Sequence, residues 1–203
     1  MSVSTSSISG RSGDGTREVL TLYSDGGVVE VNPSPVAGVW AWCATNSRGW
    51  RIIEDGGFVL ATDGPISNNQ MEWCAAMQAL EAMPDGWSGT LVTDSRNVLE
   101  RLAYLTDHLG DTQTLVPRNL PWQWYRRMVT SILRLGPLTF RHVKGHPTAV
   151  DLKRGYTVDE HGRRKHDVSD QQVWCDAECG RQVTRARLSV GGVVLVDQML
   201  ARR

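Results

Sequence analysis

Three acidic residues stand at the ends of patterned runs rather than in the middle of solvated ones. Asp25 closes a strand-like run, Glu72 heads the inward stripe of a helical run, and Asp94 closes a second, short strand-like run. If the two strands are parallel neighbours, both aspartates emerge at the same carboxyl edge of a sheet, where α/β folds place their sites. Carboxylates gathered in one place repel one another, and they stay ionised only where a cation offsets that repulsion. Oxygen donors of this kind suit Mg²⁺ or Mn²⁺. Taken singly, Asp25 or Asp94 reads as a turn former, so the chemistry depends on the elements that carry them.

Val19 to Asp25 alternates weakly and meets Gly26-Gly27, which predicts a strand stopped by turn residues. Val36 to Thr45 and Trp50 to Leu60 are two further strand-like runs joined by Asn46-Ser47-Arg48-Gly49, so the chain opens as an antiparallel meander. From Ser67 the period becomes helical, with Glu72, Ala76, Ala79 and Met83 at three-and-four spacing before Pro84-Asp85-Gly86. Thr90 to Asp94 is a short strand, followed by a helix with Val98, Leu102 and Leu105 on one face. Leu120 to Leu135 reads as a helix and Pro137 to Val143 as a fifth strand. A last helix is expected from Ser169, capped by a Ser169–Gln172 box and running toward Arg187. A strand, helix, strand order implies parallel pairing. The sum is an α/β domain: a five-stranded mixed sheet, antiparallel meander first and parallel strands after, with helices on both faces.

The 203 residues suffice for one core with extensions. Mean hydropathy of -0.30 and the absence of an apolar run of about 18 residues argue against a membrane span. Residues 1–17 are Ser/Gly-rich without an apolar signal core, so a disordered tail is expected rather than a secretory leader. Cys43, Cys74, Cys175 and Cys179 show no disulfide-framework spacing, which points to reduced thiols in a cytoplasm. The net charge of zero hides an asymmetry: residues 1–125 carry 7 Lys/Arg against 14 Asp/Glu, and residues 126–203 carry 15 against 8. A basic half is a plausible footprint for a polyanion, although such runs are commonly just solvated faces.

Five segments carry a family resemblance. Tyr-Ser-Asp-Gly-Gly at 23–27, Ser-Asn-Asn-Gln-Met-Glu at 67–72, Thr-Asp-Ser at 93–95, Val-Lys-Gly-His-Pro at 143–147 and Trp-Cys-Asp-Ala at 174–177 resemble ribonuclease HI in order and spacing. The resemblance implies an RNase H-like fold over residues 18–187, and an endoribonuclease that hydrolyses the RNA strand of RNA/DNA hybrids to 5′-phosphate and 3′-hydroxyl ends. It implies that Asp25, Glu72, Asp94 and Asp176 hold two Mg²⁺ ions, with Mn²⁺ able to substitute, and that His146 assists proton transfer or product departure. On that reading Asp25 bridges the ions, Glu72 and Asp94 serve the one at the leaving group, and Asp176 serves the one carrying the nucleophile. Asn68, Asn69 and Gln70 match positions that read RNA 2′-hydroxyls, with Asn32 adding a contact; helix capping is an equal reading of Asn68. Ser67 and one of Arg118 or Asn119 match a DNA-phosphate site.

The sequence departs from that family in three places. A lysine-rich protrusion found in some members is missing, since residues 106–119 hold one basic residue, Arg118. An insertion, 147–168, separates His146 from Asp176 and brings Lys153, Arg154, Arg163, Arg164, Lys165 and the stackable Tyr156; it reads either as a replacement grip or as a solvated, mobile loop. After Arg187, residues 188–203 form an extension, with a possible hairpin about Gly191-Gly192. His161, His166, Cys175 and Cys179 lack the spacing of a zinc knuckle. Alternatives to the hybrid-cutting monomer are a noncatalytic hybrid-binding module and a DNA nuclease or resolvase on the same fold.

Overall fold

A computed structural model describes residues 20–108 and 120–200, with side chains through residue 191. The tail 1–17 and the positions Arg118 and Asn119 lie outside the described residues. The main sheet contains β1 (Thr21–Val28), β2 (Ala37–Thr45), β3 (Arg51–Leu60), β4 (Gly89–Thr93) and β5 (Leu138–His142), in the order β3-β2-β1-β4-β5. β1 pairs antiparallel with β2 and β2 with β3, whereas β1 with β4 and β4 with β5 are parallel. The expected meander followed by parallel strands is what forms. Edge strand β3 carries Arg51, Glu54 and Asp55, charges that discourage pairing with another chain.

Period-two alternation divides the core between the two faces of the sheet. Leu22, Trp42, Ala44 and Leu91 point one way, into a cluster completed by α1 (Asn68–Glu81), α2 (Arg96–Asp107) and α3 (Trp122–Arg134). Tyr23, Ala41, Cys43 and Val92 point the other way, onto Cys175, Cys179 and Ala186 of α5 (Asp170–Leu200). α1 sits deep in the first layer, with Met71, Trp73, Cys74, Ala76, Met77 and Leu80 wholly buried. Its carboxyl end is held by Arg134, whose guanidinium donates to the carbonyls of Leu80 at 2.9 Å, Glu81 at 2.7 Å and Met83.

Three sequence expectations are corrected by the backbone. β1 does not stop at Gly26-Gly27 but continues to Val28, because Gly26 and Gly27 keep their register with Trp40 and Val39 of β2. Gly26 serves packing instead: a Cβ there would lie 2.2 Å from the carbonyl carbon of Met71 and 2.3 Å from the amide nitrogen of Glu72. The hairpin expected about Gly191-Gly192 is replaced by continuous helix, since α5 runs to Leu200. Extending an established helix costs far less than starting one, and two glycines at about 1 kcal/mol each do not reverse that. The Ser169–Gln172 capping box does not form; Ser169 Oγ accepts from the Gln171 amide at 3.2 Å, and the Gln172 side chain reaches the sheet.

The 147–168 insertion has regular structure. Thr148 and Asp151 form a capping box on the short α4 (Ala149–Arg154), and Gly155 ends it in the left-handed conformation at φ 84°. β6 (Tyr156–Val158) and β7 (Arg164–Asp167) then pair antiparallel. The hairpin is fastened to the end of β5 by Lys144 N–H donating to the Asp167 carbonyl at 2.7 Å.

Candidate active site

Asp25 lies within β1 beside α1, at the close approach that Gly26 permits, so a strand acid and the helix acid Glu72 share one cleft. β4 runs parallel to β1 and delivers Asp94 from its own carboxyl end. Asp176 arrives from the opposite face on α5. A cleft of about 360 Å³ is lined by all four acids together with His146, Asn32, Asn68 and Glu30. Asn69 lines a neighbouring cleft that shares Glu72, Asp94 and His146.

Each acid has a local support. Gly26 N–H donates to Asp25 Oδ1 at 2.8 Å. Ser95, which caps α2 by accepting from the Val98 amide, also donates from Oγ to Glu72 Oε2 at 2.5 Å. Gln172 Nε2 donates to the Ser24 carbonyl at 3.2 Å and stands 3.4 Å from Asp94 Oδ1. His146 Nδ1 is 3.4 Å from Asp176 Oδ2, with the imidazole 79% exposed. The His146 backbone adopts φ 48°, a conformation uncommon for a residue with a side chain. The glycine before it is required by space: a Cβ on Gly145 would fall 2.0 Å from Asp94 Oδ2.

The electrostatics record the crowding. Burial pushes the Asp25 carboxyl up to about 8, with the charges of Asp94, Asp176 and Glu72 adding to it against the Gly26 amide. Burial also raises Glu72, partly offset by the Ser95 hydroxyl. Asp94 is raised by burial and by Asp176, while its own amide, His146 and His142 pull it down. Such a group is costly as four bare anions and welcomes positive charge. The donor set is all carboxylate oxygen, the kind that hard divalent cations prefer. As the side chains stand, no group of three or more His, Cys, Asp or Glu among the described residues is already arranged to hold an ion.

The remaining expected contacts divide. Asn32 Oδ1 accepts from the Asn68 amide at 3.1 Å, tying the loop after β1 to the start of α1. Asn68 Oδ1 has no partner. Ser67 and Gln70 engage each other in the capping box of α1, so Ser67 rather than Asn68 is the cap. Sequence reasoning did not single out Glu30, Gln172 or Gly145 for the site. Gln172 had a signal, lying four positions before Asp176 on one helix, but the capping reading absorbed it. Cys175 and Cys179 have their thiols buried against β1, where they donate to the carbonyls of Tyr23 and Asp25.

The RNase H family model matches residues 17–164, which include Asp25, Glu72, Asp94 and His146 but stop short of Asp176. A ribonuclease H from Nitratidesulfovibrio vulgaris (strain DP4) is 34% identical over 132 residues, covering 63% of this chain and 78% of the relative. One from Chlorobium phaeobacteroides (strain BS1) is 33% identical over 132 residues, covering 63% and 83%. The solved RNase H1 of the halophilic archaeon Halobacterium salinarum NRC-1 aligns with a TM-score of 0.46 at 24% identity, over 66% of this chain and 89% of that one.

Proposed function

This chain belongs to the RNase H family, and on that premise we propose that it hydrolyses the RNA strand of RNA/DNA hybrids with divalent ions held by Asp25, Glu72, Asp94 and Asp176. The observation that carries the reading is the shared cleft lined by four acids, where burial pushes the Asp25 carboxyl up to about 8 and a bound cation would relieve the crowding. Bound there, Mg²⁺ or Mn²⁺ would neutralise the phosphoryl oxygens and favour ionisation of the attacking water.

The chain's own side chains do the rest. Ser95 and Gln172 fix the orientation of Glu72 and Asp94, which leaves less rotamer freedom to lose when substrate binds. His146 is exposed, carries a ring nitrogen near Asp176, and can hand a proton between the cleft and solvent. Asn68 lines the cleft, and its side-chain amide is of the type that bonds the RNA 2′-hydroxyl, a group that DNA lacks. Among the described residues no helix is long and apolar enough to cross a membrane. The reading includes a monomer working in the cytoplasm, and the four free, buried cysteines suit a reducing compartment.

Matched RNA/DNA, RNA/RNA and DNA/DNA duplexes incubated with Mg²⁺ test the proposal. Cleavage confined to the RNA of the hybrid, leaving 5′-phosphate ends, is the expected result. Cutting of DNA/DNA would favour a DNA nuclease or resolvase, and tight hybrid binding without cutting would favour a binding module.

A further inference from the structure

The four acids pose a problem for the substrate as well as for the protein. A nucleic acid strand is a polyanion, and most of its nonspecific affinity comes from neutralised phosphates. The basic residues of the insertion do not obviously supply that. Arg163 pairs with Asp159 at 3.0 Å, Arg164 pairs with Asp167 and lies over the Tyr156 ring, and Arg154 pairs with Asp151 at 4.0 Å and lies over the same ring. Each of these arginines is partly neutralised by an acid of the insertion itself.

Besides the exposed Lys153 and Lys165 of the insertion, which carry no ion pair among the described residues, unpaired charge sits beside the acids. A cleft of about 510 Å³ opens beside the acids and shares Glu72, Asp94 and His146 with them. It is also lined by Arg96, Lys144, His142 and His166, with Glu100 as a further acid, and His142 Nε2 stands 3.1 Å from the Asp94 carbonyl. Arg96 and Lys144 are exposed and carry no ion pair among the described residues. His166 comes from β7 of the insertion, and its ring meets His142 edge-on with centroids 5.7 Å apart. The position is fixed from below by the Lys144 amide bond to Asp167. Burial first, then the nearby positive charges of His142, Lys165, Arg96 and Lys144, disfavour the charged form of the His166 imidazole, so Arg96 and Lys144 carry the charge of this end.

Resting on the hybrid-cleaving reading above, we propose that Arg96, Lys144, His142 and His166 form a phosphate subsite that holds a backbone phosphodiester of the RNA strand next to the one being cut. The cleft then has an acidic end for cations and the scissile group, and a basic end for its neighbour. The insertion contributes through His166 and through its fastening to Lys144, rather than through the arginines on its outer face. A strand held at both ends is positioned along the cleft, which is the orientation that in-line displacement needs.

The test is binding rather than turnover. A short RNA/DNA hybrid is titrated with the full chain in EDTA by fluorescence anisotropy, from about 50 mM to 200 mM salt. Arg96→Gln and Lys144→Gln should each lower the slope of log affinity against log salt by about 0.9, and the double variant by about twice that. Arg126→Gln, on α3 outside this cleft, should leave the slope unchanged. Replacing single RNA phosphates with uncharged methylphosphonates should weaken wild type at one position beside the cut and leave the double variant indifferent there. If wild type cleaves hybrids while the double variant keeps the full slope, the subsite is refuted and the functional reading stands. If wild type neither binds nor cleaves hybrids, both fall together.

Discussion

Asp25→Asn isolates the cost of gathering four acids. The wild-type carboxyl has an ordinary value of 3.8 and is pushed up to about 8 in the folded chain. A folded-state value above the unfolded one means that protonation stabilises the fold, fully below about pH 4 and not at all above about pH 8. Wild type without metal should therefore lose stability as pH rises through that window, at up to about 1.4 kcal/mol per unit. Asparagine does not titrate, so the variant lacks this loss. From about pH 5 to pH 8 the gap should widen in its favour by up to about 4 kcal/mol, and by at least about 1 kcal/mol where water in the open cleft screens the charges. For a chain of this size 1 kcal/mol is about 2–4 °C in Tm. Calorimetry in EDTA at both pH values reads it directly. Adding Mg²⁺ should narrow the gap, because the ion stabilises the wild-type carboxylate. Melting curves of wild type and variant that shift in parallel with pH would show that Asp25 is not buried among like charges, and the electrostatic reasoning would be wrong.

Other expectations are narrower. Asp94→Asn removes a charge from the proposed cation site and should slow hybrid cleavage by at least about 10²-fold, near 2.7 kcal/mol in barrier, while circular dichroism shows an intact fold; His146→Ala should be milder. Gly145→Ala puts a methyl 2.0 Å from Asp94 Oδ2, so single-turnover cleavage should fall with little change in Tm, and an unchanged rate would show that the loop simply moves aside. Gly26→Ala forces β1 away from α1 and should cost about 1–3 kcal/mol or more in urea unfolding. Arg134→Ala strips the carboxyl end of α1 of its donors, and the expected loss is about 1–3 kcal/mol.

The sequence was most readable where local period and tertiary role agree. Asp25 and Asp94 were found because strands of alternating pattern end on them, and the parallel pairing of β1 with β4 followed from the helix between. Reading failed where packing overrides propensity. Gly26-Gly27 looks like a stop, yet the pair stays in the ladder, and Gly26 is a glycine because a neighbouring helix needs the room. Gln172 looks like a cap partner, yet its amide is drawn to Ser24 and Asp94 across the sheet. Arg163 and Arg164 look like a free grip, and only the hairpin register shows that Asp159 and Asp167 hold them. The helix through Gly191 was hidden because it is a continuation, and continuation leaves no start signal to read.

α5 touches the sheet by side-chain packing and not through a strand ladder, and it brings Asp176 with it. The other three acids are set by β1, β4 and α1, which interlock in the opposite layer. Opening of α5 alone would thus remove one corner of the site while leaving the sheet and the first layer standing. Such a sub-global state, mostly native but lacking Asp176, would have a population governed by the docking of one helix and not by global stability. Amide exchange in α5 that runs faster than exchange in β1 and α1, and slows when divalent ions join Asp176 to the other acids, would be the signature of that state.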